Sequence, residues 1–117
     1  MEGKNRRIHK RVPIAGSARI LLNDGQGAFT EGLISNVSIS GIGIYTDRQV
    51  DDGEDVLLEL NFISSEWTMT ETVIQGNVVY TKDMEFSFFT GIEFTNEIDP
   101  GSHKSLHYHI EQSLQWY

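Results

Sequence analysis

Apolar residues in this chain recur at every second position in short runs. Leu58, Leu60 and Phe62 alternate with polar neighbours, and Phe86, Phe88, Thr90, Ile92 and Phe94 do the same. A period of two in β-branched and aromatic residues is the pattern of a strand with one face buried, and it cannot make one apolar face on a helix. Further strand segments are Ala18–Leu22, Phe29–Ser35, Gly41–Thr46, Trp67–Thr70 and Val73–Tyr80. They are punctuated by the turn sequences Asn23-Asp24-Gly25-Gln26-Gly27 and Asp51-Asp52-Gly53-Glu54. Glycine supplies the positive φ that tight turns require. Six or seven short strands within about 80 residues point to a closed barrel or a small sandwich, because closure removes exposed strand edges. Trp67, Met69 and the phenylalanines are expected in the core.

The period changes near the end of the sequence. Leu106, Ile110 and Leu114 recur every four residues and form one apolar stripe. Asp99 is placed to cap a helix whose first turn begins at Pro100. Such a helix covers an open end or face of the barrel. The expected organisation is a single domain over 1–117, with a flexible arm at 1–13, a β-barrel at 14–97 and a helix at 99–115.

Without cysteine, the chain has no disulfides, thiolate zinc sites or thiol nucleophiles. No apolar stretch approaches the roughly 18 residues that cross a bilayer, and no apolar segment follows the charged N-terminal residues as a secretory signal requires. A soluble cytoplasmic protein with no membrane insertion is expected. The net charge of −8 argues against general coating of nucleic acid. That figure hides an asymmetry. Residues 1–20 hold six bases and one acid, a net of +5, whereas residues 21–117 hold three bases and sixteen acids, a net of −13. A basic head on an acidic body can concentrate a small anion at one place.

Two short patterns carry chemistry. Arg7-Ile8-His9-Lys10-Arg11 is an Arg-x-x-x-Arg directly preceded by Arg6, and Asn36-Val37-Ser38-Ile39-Ser40-Gly41 is an Asn-x-Ser-x-x-Gly in a turn between strands. Arginine presents a planar fork that grips a phosphate or the O6/N7 edge of guanine through two parallel hydrogen bonds. Asn36 offers a donor and an acceptor, Ser38 a hydroxyl, and Gly41 close approach of the backbone. A turn of this kind can aim successive amide N–H groups at an anion, or its polar side chains can satisfy only the turn itself.

Taken together and in this order, the two patterns resemble the PilZ domain family, whose members bind the bacterial second messenger cyclic di-GMP. The resemblance extends to Val12-Pro13, Gly43-Ile44, Gly76-Asn77-Val78-Val79-Tyr80 and Gly91-Ile92-Glu93-Phe94, and so runs from about residue 5 to 95. It implies a six-stranded antiparallel barrel with ligand on its outer surface, and a C-terminal helix that members often carry. It also implies that an arm bearing Arg7 and Arg11 folds over the ligand, while Asn36, Ser38 and Gly41 form the floor. Asn36 stands where aspartate is commoner in the family. Members with a further arginine just before the motif tend to bind an intercalated pair of ligands, so Arg6 implies two ligands per site.

Other residues carry less. His103, His107 and Glu111 share a helix face on which a metal site is conceivable, although an exposed polar face is the simpler reading and no cofactor is expected. Tyr80 could stack on a base. Phosphate-loop, dinucleotide-binding and nucleophile-elbow motifs are absent from the sequence, and a binding module rather than an enzyme is expected. The resemblance implies a cyclic di-GMP receptor that signals to a protein partner. The alternatives are a PilZ-like interaction module without ligand binding, and a small barrel that holds nucleic acid through its basic head.

Overall fold

The computed structural model describes residues 9–23, 27–64 and 66–116. Seven strands run in order: β1 (Val12–Pro13), β2 (Gly16–Leu22), β3 (Phe29–Val37), β4 (Gly41–Thr46), β5 (Asp55–Ile63), β6 (Met69–Asp83) and β7 (Phe88–Phe94). They are followed by one helix, α1 (Lys104–Leu114). All pairings are antiparallel, and β3–β4 pairing closes the ring β3-β2-β5-β6-β7-β4 into a six-stranded barrel. β1 is the extra strand. It pairs with the end of β3, with Val12 opposite Val37 and Pro13 opposite Asn36. The arm expected through residue 13 is thus already sheet at Val12, whose side chain is fully buried.

Strand alternation fills the interior. On β5 the inward positions are Val56, Leu58, Leu60 and Phe62, and they meet Ile20, Ile42, Ile44, Val78 and Ile92 from the other strands. Two β-bulges interrupt this alternation. One falls between Ile34 and Asn36 on β3, the other between Val78 and Tyr80 on β6. In an unbroken strand Asn36 would follow Ile34 inward, and Tyr80 would follow Val78. The extra residue at each bulge, Ser35 or Val79, reverses the facing and turns both polar side chains outward.

Helix α1 buries Leu106 and Ile110 and lies over the rim where β5 turns into β6. Its His109 ring meets Phe62 edge-on at 6.4 Å, and His109 Nε2 lies 3.1 Å from the carbonyl oxygen of Pro13. A carbonyl only accepts, so in this hydrogen bond Nε2 is the donor. The helix starts at Lys104 with His103 as its N-cap residue, later than the cap expected at Asp99. Asp99 Oδ1 instead accepts from the backbone N–H of Gly101 at 2.7 Å and of Ser102 at 2.8 Å, closing a separate turn before the helix. Those two backbone hydrogen bonds, Ser102 first, hold the Asp99 carboxyl below the usual carboxylate range.

Three aromatic and apolar residues expected in the core are on the surface. Trp67 is 87% exposed at the tip of the β5–β6 hairpin with φ of +61°, Met69 follows it into solvent, and Phe86 is 94% exposed in the β6–β7 turn. Each lies at or beyond a strand end, where alternation no longer directs a side chain inward. The turn at 23–27 has its residues 24–26 outside the described part of the chain.

Candidate functional site

The short strand β1 brings Arg11, the last residue of the first motif, to the second motif. Its pairing with β3 holds residue 11 beside residue 36 although 25 positions separate them in the chain. Because Val12 points inward, Arg11 points out. Its Nη1 donates to Asn36 Oδ1 at 2.8 Å, while Asn36 Nδ2 donates to Ser35 Oγ at 3.2 Å. The amide of Asn36 is thereby oriented, and the remaining N–H groups of the Arg11 fork stay available. Arg6 and Arg7 lie outside the described residues.

Ser38 and Gly41 build the turn. Ser38 is 2% exposed, and its hydroxyl oxygen accepts from the backbone N–H of Ser40 and of Gly41, both at 3.2 Å. The Ser38 N–H donates to the Gly41 carbonyl at 2.8 Å. The N–H groups of Ser38, Ser40 and Gly41 are therefore engaged inside the turn, the second of the two arrangements that such a sequence allows. Gly41 is required by packing, since a Cβ there would stand 2.7 Å from the carbonyl oxygen of Ile92 on β7.

Arg11, Asn36, Ser40 and Gly41 form one side of an open cleft of about 430 Å³, a size within the ordinary range of small-molecule sites. The other side is Tyr80, Phe89, Gly91 and Glu93. Tyr80 lies across Gly91 so closely that a Cβ there would meet its ring at 2.4 Å. The Tyr80 and Phe89 rings are 6.0 Å apart and tilted, and Phe89 meets Tyr45 edge-on at 5.1 Å. Tyr80 is 41% exposed and lines the cleft, where an aromatic ring can stack on a flat ligand. A hollow of about 530 Å³ lies elsewhere, lined by Leu21, Leu22, Asn23 and Asp55 among others, with no basic residue on its walls.

The cleft thus joins a guanidinium, an oriented amide, an aromatic platform and a carboxylate. Phe89 and Glu93 were not marked by their spacing in the sequence. Their place follows from the pairing of β7 with β4 and β6, and that of Tyr80 from the bulge at Val79. The histidines of α1 are engaged otherwise: Thr72 Oγ1 lies 2.8 Å from His103 Nδ1, and His107 Nε2 lies 3.9 Å from Glu111. Among the described residues no group of three or more His, Cys, Asp or Glu could hold a metal. No described helix is long and apolar enough to cross a membrane.

The sequence profile of the PilZ domain matches residues 5–112. The chain belongs to the PilZ domain family. Among solved structures, it superposes on the Bacillus subtilis inhibitor of motility MotI/DgrA with a TM-score of 0.70 at 17% identity, over 94% of this chain and 52% of that one. This PilZ chain therefore spans about half the length of MotI/DgrA. It also superposes on the PilZ domain of Escherichia coli YcgR, determined with c-di-GMP, with a TM-score of 0.66 at 12% identity, over 95% of this chain and 93% of that one. At such identities the likeness is one of fold. A comparison with curated proteins finds no match.

Proposed function

We propose that this PilZ domain is a cytoplasmic receptor for cyclic di-GMP, held between the basic arm and the cleft of Arg11, Asn36 and Tyr80. The observation that carries this reading is the 2.8 Å hydrogen bond from Arg11 to Asn36, one residue from each motif, beside an aromatic-walled cleft. Arg11 and Arg7 grip phosphate and the guanine O6/N7 edge. Tyr80 stacks on a base. Ser38 and Gly41 act by holding the turn that positions Ser40 and Asn36. Arg6 supplies the additional charge for a second, intercalated ligand.

Affinity has to come from several contacts acting together. A good bidentate arginine contact contributes roughly 1–3 kcal/mol, and stacking on an aromatic side chain about 1–3 kcal/mol per base. Micromolar affinity requires about 8 kcal/mol. Ordering backbone opposes this by roughly 1–2 kcal/mol per residue fixed. Arg11 is already anchored next to β1 by its hydrogen bond to Asn36, which spares that cost at this residue. The domain acts as a binding module, and the change in its arm on loading alters its affinity for a protein partner.

Calorimetric titration with cyclic di-GMP tests the proposal. Micromolar or tighter binding, far stronger than for GMP or GTP, is expected. Absence of heat at tens of micromolar would leave a PilZ domain that works without this ligand.

A further inference from the structure

Glu93 is a feature that a simple anion site would not contain. A cyclic dinucleotide brings two phosphodiester charges, and a carboxylate in the same cleft opposes them. Glu93 is exposed on β7, where its strand partners are Gly41 on β4 and Asn77 on β6. Gly41 has no side chain to engage it. Asn77 directs its amide away, donating to the Gly53 carbonyl and to Asp55 Oδ1, both at 2.9 Å. Among the described residues, none of the cations forms an ion pair with Glu93. Glu93 lines the cleft, and these neighbours do not engage its acceptors.

Acceptors in pairs suit one kind of base edge. Guanine presents N1–H and an N2 amino group side by side, two parallel donors matched to two carboxylate oxygens. Adenine presents an acceptor at N1 beside its N6 donor, and would set a lone pair against the carboxylate. The placement agrees with this chemistry. Tyr80 lies over Gly91, and Glu93 follows on the same face of β7, one strand repeat of about 7 Å farther along. A base stacked on Tyr80 and directed along β7 brings its edge to Glu93.

We infer that Glu93 reads the base, accepting from N1–H and N2–H of the guanine that stacks on Tyr80 and thereby setting a preference for cyclic di-GMP over cyclic di-AMP. The favourable contact with one base and the repulsion of the other both contribute to that preference. This inference rests on the proposed cyclic dinucleotide reading of the cleft.

The test is a matrix of titrations: the parent, Glu93→Gln and Glu93→Ala, each with cyclic di-GMP and cyclic di-AMP, with thermal melts to confirm folding. Both variants should bind cyclic di-GMP roughly ten- to a hundredfold more weakly, the span of one lost bidentate contact. Glu93→Gln should in addition gain affinity for cyclic di-AMP, because its amide offers a donor to N1 and an acceptor to N6. Two results would overturn the inference. Unchanged or tighter cyclic di-GMP binding in both variants would put the carboxylate against the phosphates. An equal loss for both ligands would make Glu93 a support for the arm and not a reader of the base. Failure of the parent to bind either ligand is a separate outcome, which removes the proposed function and this inference with it.

Discussion

Arg11 is exposed, yet its position is fixed by a buried neighbour. Val12 enters the core, β1 pairs with β3, and the guanidinium meets Asn36 at 2.8 Å. Removing this side chain should therefore affect ligand far more than fold. Arg11→Ala is expected to weaken cyclic di-GMP binding by about tenfold or more, the equivalent of one bidentate contact, with little change in melting temperature. Arg11→Lys should recover little of the loss, because an ammonium is a point charge without the planar fork. Ser38 is the opposite case. Its oxygen serves two buried-turn amides, so Ser38→Ala leaves them without that acceptor. It should destabilise the domain by about 1–3 kcal/mol, seen as a lower denaturation midpoint even without ligand. Asn36, Ser38 and Gly41 were legible as a motif, but not which of their side chains the fold buries. Sequence spacing does not tell whether a serine hydroxyl is open or engaged in its own turn, and here it is buried and accepts from two turn amides.

At the scale of elements, alternation made the strands readable and the bulges limited that reading. The period-two runs at Leu58–Phe62 and Phe88–Phe94 are strands β5 and β7 because each has one face in the core. Nothing in Val78-Val79-Tyr80 marks which residue is the extra one, so the outward turn of Tyr80 over Gly91 emerges only from the β6–β7 register. Exposed tips such as Trp67 and Phe86 misled for a related reason: apolarity signals burial only within a paired strand. If the bulge exists to present the Tyr80 ring, Tyr80→Ala should weaken binding by about 1–3 kcal/mol, while Tyr80→Trp should retain it. The turn before α1 carries a different prediction. The Asp99 carboxyl is held below the usual range by hydrogen bonds from Ser102 and Gly101. A carboxyl with a lowered folded-state pKa stabilises the fold above its ordinary titration range, and that contribution disappears as pH falls through the lowered value. A carboxyl-resolved NMR titration should find Asp99 protonating below an ordinary aspartate, and Asp99→Asn should remove this part of the acid sensitivity.

For the whole molecule, charge distribution separates a small-ligand receptor from a nucleic-acid binder. The net of +5 over residues 1–20 stands against −13 over the remainder. A long polyanion would have to lie across the acidic body, whereas a cyclic dinucleotide needs only the junction where Arg11 meets the barrel. Binding of cyclic di-GMP should consequently show a shallow salt dependence, in contrast to the steep slope that several released counterions give with an oligonucleotide. Stoichiometry belongs to the same scale: the parent should take two ligands, and Arg6→Leu should lower the count towards one. The central claim is that ligand occupies the cleft between the Arg11–Asn36 pair and Tyr80. A backbone NMR titration of the parent with cyclic di-GMP tests it directly. Saturable shifts should concentrate at Arg11, Asn36, Ser40, Gly41, Tyr80 and the 89–93 stretch of β7. Shifts confined to the hollow around Leu21, Leu22 and Asp55, or none at all at saturating messenger, would contradict it.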